Sequence, residues 1–358
     1  MTVAYIMEQG AYLVKEGKRI LVKKNKTVLH TLHTFKLEQL VLFGNVSLTP
    51  QVISYLLKLG IDTVFMSKNG RYKGRLQGPY SKNIELREKQ FKNLSKPEFC
   101  FKTAYFFVNG KLNNMRTLLL RLNRKNPSFA LEDYILTLKR LIERLGNAKD
   151  IDEIRGIEGK ASSVYFEGFA KGFISDTIQF TKRTRRPPTD PVNAVLSLGY
   201  TFLFNELMGA VSMVGLDPYF GALHTVEYGK PSLVLDLMEE WRPILIDTLI
   251  LSLFNTTVIT SADFTISTLN SNPDDERLDD EILEKEVLNR DSSSPLVRLT
   301  KDGLRKFITQ YERKIRQKIK YHLTGKSLSY RDCIREQIRH FARYLKGEEP
   351  EYKPMSFK

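Results

Sequence analysis

Short alternations of apolar and polar residues open the chain. Val3–Met7, Tyr12–Lys15, Arg19–Lys23, Thr27–Phe35 and Gln39–Phe43 are rich in β-branched and aromatic residues and predict strands, with Glu16-Gly17-Lys18 as a tight turn. One helix interrupts them: Thr49 at its N-cap, Pro50 at its first position, Val52, Ile53, Leu56 and Leu57 on its apolar face, Gly60 as its stop. Asp62–Met66 and Tyr72–Leu76 predict a hairpin around Lys68-Asn69-Gly70. Gly78-Pro79 marks a change of period. From Ser81 onward apolar residues recur at helical spacing, predicting helices over roughly 81–95, 97–122, 129–145, 150–171, 190–213, 232–254, 301–320 and 329–346. The pattern predicts an α+β chain: a small N-terminal β-rich domain (1–78), then a larger all-α domain (79–358).

Composition adds little until charge is considered. At 42% hydrophobic residues the chain can bury a core, which excludes a disordered protein. Cys100 and Cys333 are too few for a disulfide scaffold or a cysteine-based zinc site, and fit reduced thiols in a cytoplasm. Cys100, among Phe101, Tyr105 and Phe106, reads as core. The best apolar run for a membrane span, Pro243–Phe254, is too short and carries Asp247, and the N-terminus lacks the layout of a secretory signal. The charge, in contrast, is unusual: +15 over 358 residues. An acidic stretch over 274–291 holds nine acids against three bases, so the rest carries +21. Such an excess attracts a polyanion, most often nucleic acid.

Two late helices concentrate the bases. The first sets Lys301, Arg305, Lys306, Arg313, Lys314, Arg316, Lys318 and Lys320 around an apolar face of Leu304, Phe307, Ile308, Tyr311, Ile315 and Ile319. The second carries Arg331, Arg335, Arg339 and Arg343 at i+4 steps opposite Ile334, Ile338, Phe341 and Leu345. With few acids nearby, the stripe is expected to stay unneutralised and contact nucleic acid; a solvated helix face is the plainer alternative. A third basic segment, Lys182-Arg183-Thr184-Arg185-Arg186, leads through Pro187-Pro188 to a helix capped by Thr189 or Asp190.

No glycine-rich phosphate loop precedes a helix, and no Ser or Cys has the setting of an activated nucleophile. His30 and His33 lie in a strand-like run and are expected to pack. One constellation stands apart. His224 ends a Gly/Pro-punctuated turn, and Asp236 and Glu239 follow at i and i+3 on an apolar helix. Two carboxylates there are costly to bury without a cation between them. Upstream, Arg155-Gly156-Ile157-Glu158-Gly159 brackets a third acid with glycines that would permit close approach of a helix or backbone. Such a donor set suits Mg²⁺ or Mn²⁺, and Zn²⁺ would accept it too. The plainer alternative is salt bridging of Asp236 or Glu239 to Arg242 or Lys230, and spacing alone does not bring Glu158 to His224.

These segments carry a resemblance. Arg155-Gly-Ile-Glu158-Gly, Arg185-Arg186-Pro187-Pro188 with Asp190-Pro191-Val192-Asn193-Ala194, Leu216-Asp217-Pro218 with Gly221 and Leu223-His224, and Leu233-Val-Leu-Asp236-Leu-Met-Glu239-Glu-Trp-Arg242-Pro243 resemble, in order and spacing, the signatures of the CRISPR-associated adaptation integrase/endonuclease family ("Cas one"). The resemblance implies a dimerising β domain and an α-helical catalytic domain. It also implies a homodimer that joins the small "Cas two" partner in a hetero-hexamer. It implies a divalent metal, Mg²⁺ or Mn²⁺, held by Glu158, His224 and Glu239, with Asp236 as a further catalytic acid. Many relatives have Asp where Glu239 stands, and Glu240 is a neighbouring acid. Arg155, Lys230, Arg242, Arg183, Arg185 and Arg186 are implied to hold DNA phosphates, and Asn193 to support the site. The implied activity is insertion of foreign DNA as new spacers at repeat ends by 3′-OH transesterification, with no membrane role; a stand-alone structure-selective metal-dependent nuclease is the alternative.

Overall fold

A computed structural model of the chain describes residues 2–78, 83–174, 180–184, 188–268 and 295–357. Arg185, Arg186 and the acidic 274–291 stretch lie outside the described residues. The chain divides into two compact units, Met1–Ile84 with Ser212–Gly215, and Glu85–Val211 with Leu216–Lys358.

The first unit follows its alternating pattern. Strands β1 (Thr2–Ile6), β2 (Ala11–Glu16), β3 (Arg19–Lys24), β4 (Thr27–His33), β5 (Leu37–Phe43), β6 (Val46–Leu48), β7 (Asp62–Met66) and β8 (Tyr72–Leu76) surround helix α1 (Pro50–Leu59). Short β6 is an addition to the predicted strands. The strands form two four-stranded sheets, ordered β1-β5-β7-β8 and β4-β3-β2-β6. Alternate residues Leu13, Ile20, Val22, Leu40 and Leu42 meet Val52 and Leu56 of α1 in one core. Burying each such side chain contributes about 1.5–3 kcal/mol. Gly60 ends α1 in the left-handed region, as expected, whereas Thr49 sits at the N-cap without a side-chain capping bond. His30 and His33 are not core residues, although the His33 ring lies 5.8 Å from that of Phe35. Their strand, β4, is the edge of its sheet, and both side chains are exposed.

The second unit is mainly helical. It comprises α2 (Ile84–Leu94), α3 (Pro97–Lys125), α4 (Glu132–Leu145), α5 (Ile151–Ala170), α6 (Pro191–Val214), α7 (Ser232–Met238), α8 (Thr248–Asn255), α9 (Lys301–Ile315) and α10 (Tyr330–Lys346). The apolar face of α3 packs against α4 and α5. Helix α6 is long and apolar enough to cross a membrane by composition, a candidate the shorter 243–254 run did not reveal, but most of it is buried inside the protein. Asp190 caps α6, its carboxylate accepting from the Asn193 N–H at 2.8 Å.

Three features depart from the all-α expectation. Antiparallel pairs β9 (Phe264–Thr268) with β10 (Pro295–Leu299) and β11 (Lys318–Lys320) with β12 (Ser327–Ser329) lie within the helical region. The helix predicted over 301–320 therefore stops at Ile315, and Ile319 belongs to a strand. The helix predicted over 232–254 breaks after Met238 and passes through a π-type turn, Arg242–Asp247, before α8. Pro243 lacks the N–H a regular helix needs there.

The arginine stripe of α10 is also neutralised, contrary to expectation. Arg331 is buried between Glu206 (2.5 Å) and Glu312 (2.9 Å), Arg335 pairs with Asp332, Arg339 with Glu336 and Arg343 with Glu349. Asp332 and Glu336 belong to α10 itself and take two of the four arginines; Glu206, Glu312 and Glu349 come from other helices and from the tail, which a reading of one helix at a time does not count.

The tail after α10 is tied to the interior by buried polar groups. Glu240 accepts from the Tyr352 hydroxyl (2.8 Å) and the Met355 N–H (2.7 Å), while Asn114 of α3 donates to the carbonyls of Glu240 and Met355. Burial pushes the Glu240 carboxyl up to about 8, against the lowering effect of those bonds. A carboxyl raised in the folded state favours folding least at high pH, because the unfolded chain ionises first. Thermal melts should therefore show the wild type losing stability relative to Glu240→Gln as pH rises from about 5 to 9. Glu240→Ala, which strands the Met355 N–H, should cost roughly 1–3 kcal/mol near pH 5 and less as pH rises, because it too removes the ionisable group.

Candidate metal and DNA-phosphate centre

The site is assembled around a fully buried carboxylate. Asp236 Oδ2 accepts from the backbone N–H of Ala222 (2.6 Å) and Leu223 (3.0 Å), and Oδ1 accepts from that of His224 (2.9 Å). The same Oδ1 lies 2.7 Å from His224 Nδ1. A carboxylate there fixes Nδ1 as the protonated nitrogen and leaves Nε2 as the potential ligand. Asp236 thus shapes the turn and sets the ring. The preceding residues are held by Gln90 of α2, whose amide donates to the carbonyls of Asp217 and Phe220, both at 2.8 Å. Arg155 of α5 donates from Nε to the Leu223 carbonyl at 2.7 Å, joining the helix of Glu158 to the turn of His224.

The close approach falls at Gly221 rather than at the glycines flanking Glu158. A Cβ on Gly221 would lie 2.5 Å from Asp236 Oδ2 and 2.8 Å from the Leu233 nitrogen. A Cβ on Gly156 or Gly159 would meet nothing within 4 Å, so the expectation that those glycines admit a close neighbour is not met. Cys100 is half-buried rather than core, its thiol 3.5 Å from the Ala222 carbonyl.

Glu158 of α5 and Glu239, just after α7, share one cation that the sequence reading missed. Lys111 of α3, buried like Glu239, hydrogen-bonds to the partly exposed Glu158 and lies 2.6 Å from Glu239 Oε2. Arg242 reaches the other oxygen of Glu239 at 3.0 Å, the salt bridge that the plainer alternative anticipated. Burial alone would raise the Glu239 carboxyl, but the charges of Arg242, Lys111 and His224 overcome it and hold the group at about 2. Glu240 points instead to the C-terminal tail, so of the two adjacent acids only Glu239 faces Lys111. Lys111 had a faint sequence signal: with Asn114 it interrupts an apolar face of α3 formed by Ala104, Phe107 and Leu118.

A second polar group adjoins the first. Tyr165 and Tyr200 donate to the two oxygens of buried Asp247 at 2.6 and 2.7 Å. Burial raises Asp247 to about 6 despite both bonds. Arg183 and Arg242 each lie over the Tyr200 ring, at 5.4 and 5.1 Å from its centroid. Arg183 also donates to Asn193 Oδ1 (2.8 Å) and Ser197 Oγ (3.1 Å), and Asn193 holds the Lys182 carbonyl and the Thr184 N–H, so Asn193 orders this basic segment. Lys230 pairs with Glu227 rather than with Asp236 or Glu239.

Among the described residues no three His, Cys, Asp or Glu side chains form a ready metal cage. The donor chemistry nevertheless suits a hard divalent ion. Two carboxylates already converge on one positive charge, and the same unit carries an imidazole oriented by Asp236.

The sequence profile of the family described as CRISPR associated protein Cas1 matches residues 4–285. A CRISPR-associated endonuclease Cas1 of Thermus thermophilus is 35% identical over 99% of this chain and 97% of its own. The chain belongs to the Cas1 family. Among solved structures, a casposase bound to integration product is similar at a TM-score of 0.82, with 20% identity over 100% of this chain and 95% of that one. A chain of a Cas6-RT-Cas1–Cas2 complex matches at a TM-score of 0.79 and 22% identity, over 99% of this chain and 36% of the longer chain. At those identities the likeness speaks for the fold, which in Cas1 proteins is the same sequence of strands then helices.

Gly221→Ala should cost about 1–3 kcal/mol in denaturant melts, because the methyl group would force the 222–224 turn off Asp236. Gly156→Ala and Gly159→Ala, in open space within a helix, should be neutral or add up to about 1 kcal/mol each.

Proposed function

We propose that this chain is a metal-dependent DNA integrase and endonuclease of CRISPR adaptation, joining captured DNA to the ends of repeats. The convergence of Glu158 and Glu239 on a single cation, in the unit where buried Asp236 fixes the His224 imidazole, is the observation that carries it. Membership of an endonuclease family and the shared fold of a casposase bound to integration product support it.

Glu158, Glu239 and His224 Nε2 would hold Mg²⁺ or Mn²⁺. When bound, such an ion polarises the scissile phosphodiester and stabilises the charge developing on its oxygens. The remaining work falls to the chain. Asp236 keeps the imidazole in one tautomer, so His224 serves as a ligand and not as a base. Arg242 and Arg183, braced on Tyr200, hold the phosphate backbone together with Arg155, Lys230, Arg185 and Arg186, with little reading of bases. The 3′ oxygen of the captured strand forms a new ester with a repeat-end phosphate while the bond to the original 3′ oxygen breaks. Its proton passes to solvent, and the departing oxygen takes one up. The number of phosphodiesters is unchanged, so no nucleotide cofactor is required. Water in place of the 3′-hydroxyl gives strand cleavage. We further propose that the β-rich part (1–78) joins two copies, that the helical part (79–358) binds metal and DNA, and that a small Cas2 partner completes a hetero-hexamer, as the match to a chain of a Cas1–Cas2 complex supports.

Glu158→Ala, His224→Ala and Glu239→Ala should each abolish Mn²⁺-dependent joining of a labelled fragment to a supercoiled repeat target while duplex binding persists. Full joining by any one of them removes that residue from the ligand set, and random nicking without joined products points to a stand-alone nuclease. DNA affinity should fall steeply as salt rises, by at least about a hundredfold between 50 and 200 mM, with little dependence on sequence.

A further inference from the structure

Charge is balanced one for one at the paired glutamates. Glu158 and Glu239 carry two negative charges; Lys111 and Arg242 supply two positive ones. A divalent ion joining this group leaves an excess of two positive charges in a largely buried place, where like charges repel strongly. One resident cation must give way. Arg242 is a rigid fork, paired with Glu239 and lying on the Tyr200 ring. Lys111 is a point charge on a flexible four-carbon stem, and its contacts are the very carboxylates a metal would take. Glu158 has a second partner in place for that event, the Ser162 hydroxyl, which donates to Oε1 at 2.9 Å.

We propose that Lys111 is a resident stand-in cation: its ammonium holds Glu158 and Glu239 together in the metal-free protein and is displaced when a divalent ion binds. It is a positioning residue that sets metal affinity by competition. The proposal rests on the metal-centre assignment above, and it deepens that assignment by making metal loading an exchange of one cation for another.

The test is a calorimetric titration of the full chain with Mn²⁺, without DNA. Lys111→Met should bind Mn²⁺ at least about tenfold more tightly than the wild type, because the competing charge is gone. Its metal-free melting temperature should fall, and Mn²⁺ should raise that temperature more than it raises the wild type's. Lys111→Arg keeps the charge and should bind no more tightly than the wild type. A purely structural lysine would instead lower stability and affinity together. A measurement on the wild type guards against a variant that does not fold: acetylation of Lys111, read by peptide mass spectrometry, should rise several-fold when Mn²⁺ is added. Unchanged labelling, or a Lys111→Met affinity no tighter than wild type, overturns the proposal and leaves the metal centre intact. Mn²⁺ binding that Glu158→Gln does not weaken overturns the metal centre and the proposal with it.

Discussion

A buried carboxylate such as Glu239, with a second carboxylate close by, needs a cation between them, and the helical unit is arranged around meeting that demand. Glu158 comes from α5, Glu239 from the break after α7, and the charge that reconciles them comes from Lys111 on α3. Three segments distant in the sequence are thereby held at one point. Removing Lys111 would leave buried Glu239 dependent on Arg242 alone, a more serious loss than that of a surface ion pair. The long helix α3, the α5 packed on it and the irregular stretch from Met238 to Asp247 are the frame that fixes this meeting.

Around that point the same device recurs with different donors. Asp236 is satisfied by three backbone N–H groups and an imidazole, so it converts an irregular turn into a fixed one. Asp247 is satisfied by two tyrosine hydroxyls, one of which carries two arginines over its ring. Glu240 takes its bonds from the C-terminal tail, so residues after α10 brace the stretch that carries Glu239. Each buried acid organises a different neighbour: a turn, a basic platform, a tail. Such polar contacts fix geometry more effectively than apolar packing does, because a misplaced donor leaves a desolvated acceptor.

The positive charge of the chain is less available than its total suggests. The stripe on α10 is consumed by acids from its own helix, from α6, from α9 and from the tail. Lys306 of α9 is likewise held by Asp263, and Lys314, pushed down to about 8 by burial and by nearby Arg121, lies over the Tyr330 ring.

Much of the fold was legible in the chain. Alternation marked the strands that feed the first core, and helical spacing marked most helices of the second unit, because one-sided burial writes its period into the sequence. His224, Asp236, Glu239 and Glu158 stood out as acids and an imidazole in apolar or turn-like settings. What the sequence could not supply were pairings between segments. The partners of Arg331, the β9–β10 and β11–β12 pairs, the close approach at Gly221 rather than at Gly156 or Gly159, and the roles of Lys111 and Asp247 all depend on which groups meet across tens or hundreds of residues. Local pattern records whether a side chain is buried. Only the tertiary structure decides against what, and for a buried charge the partner determines its chemistry.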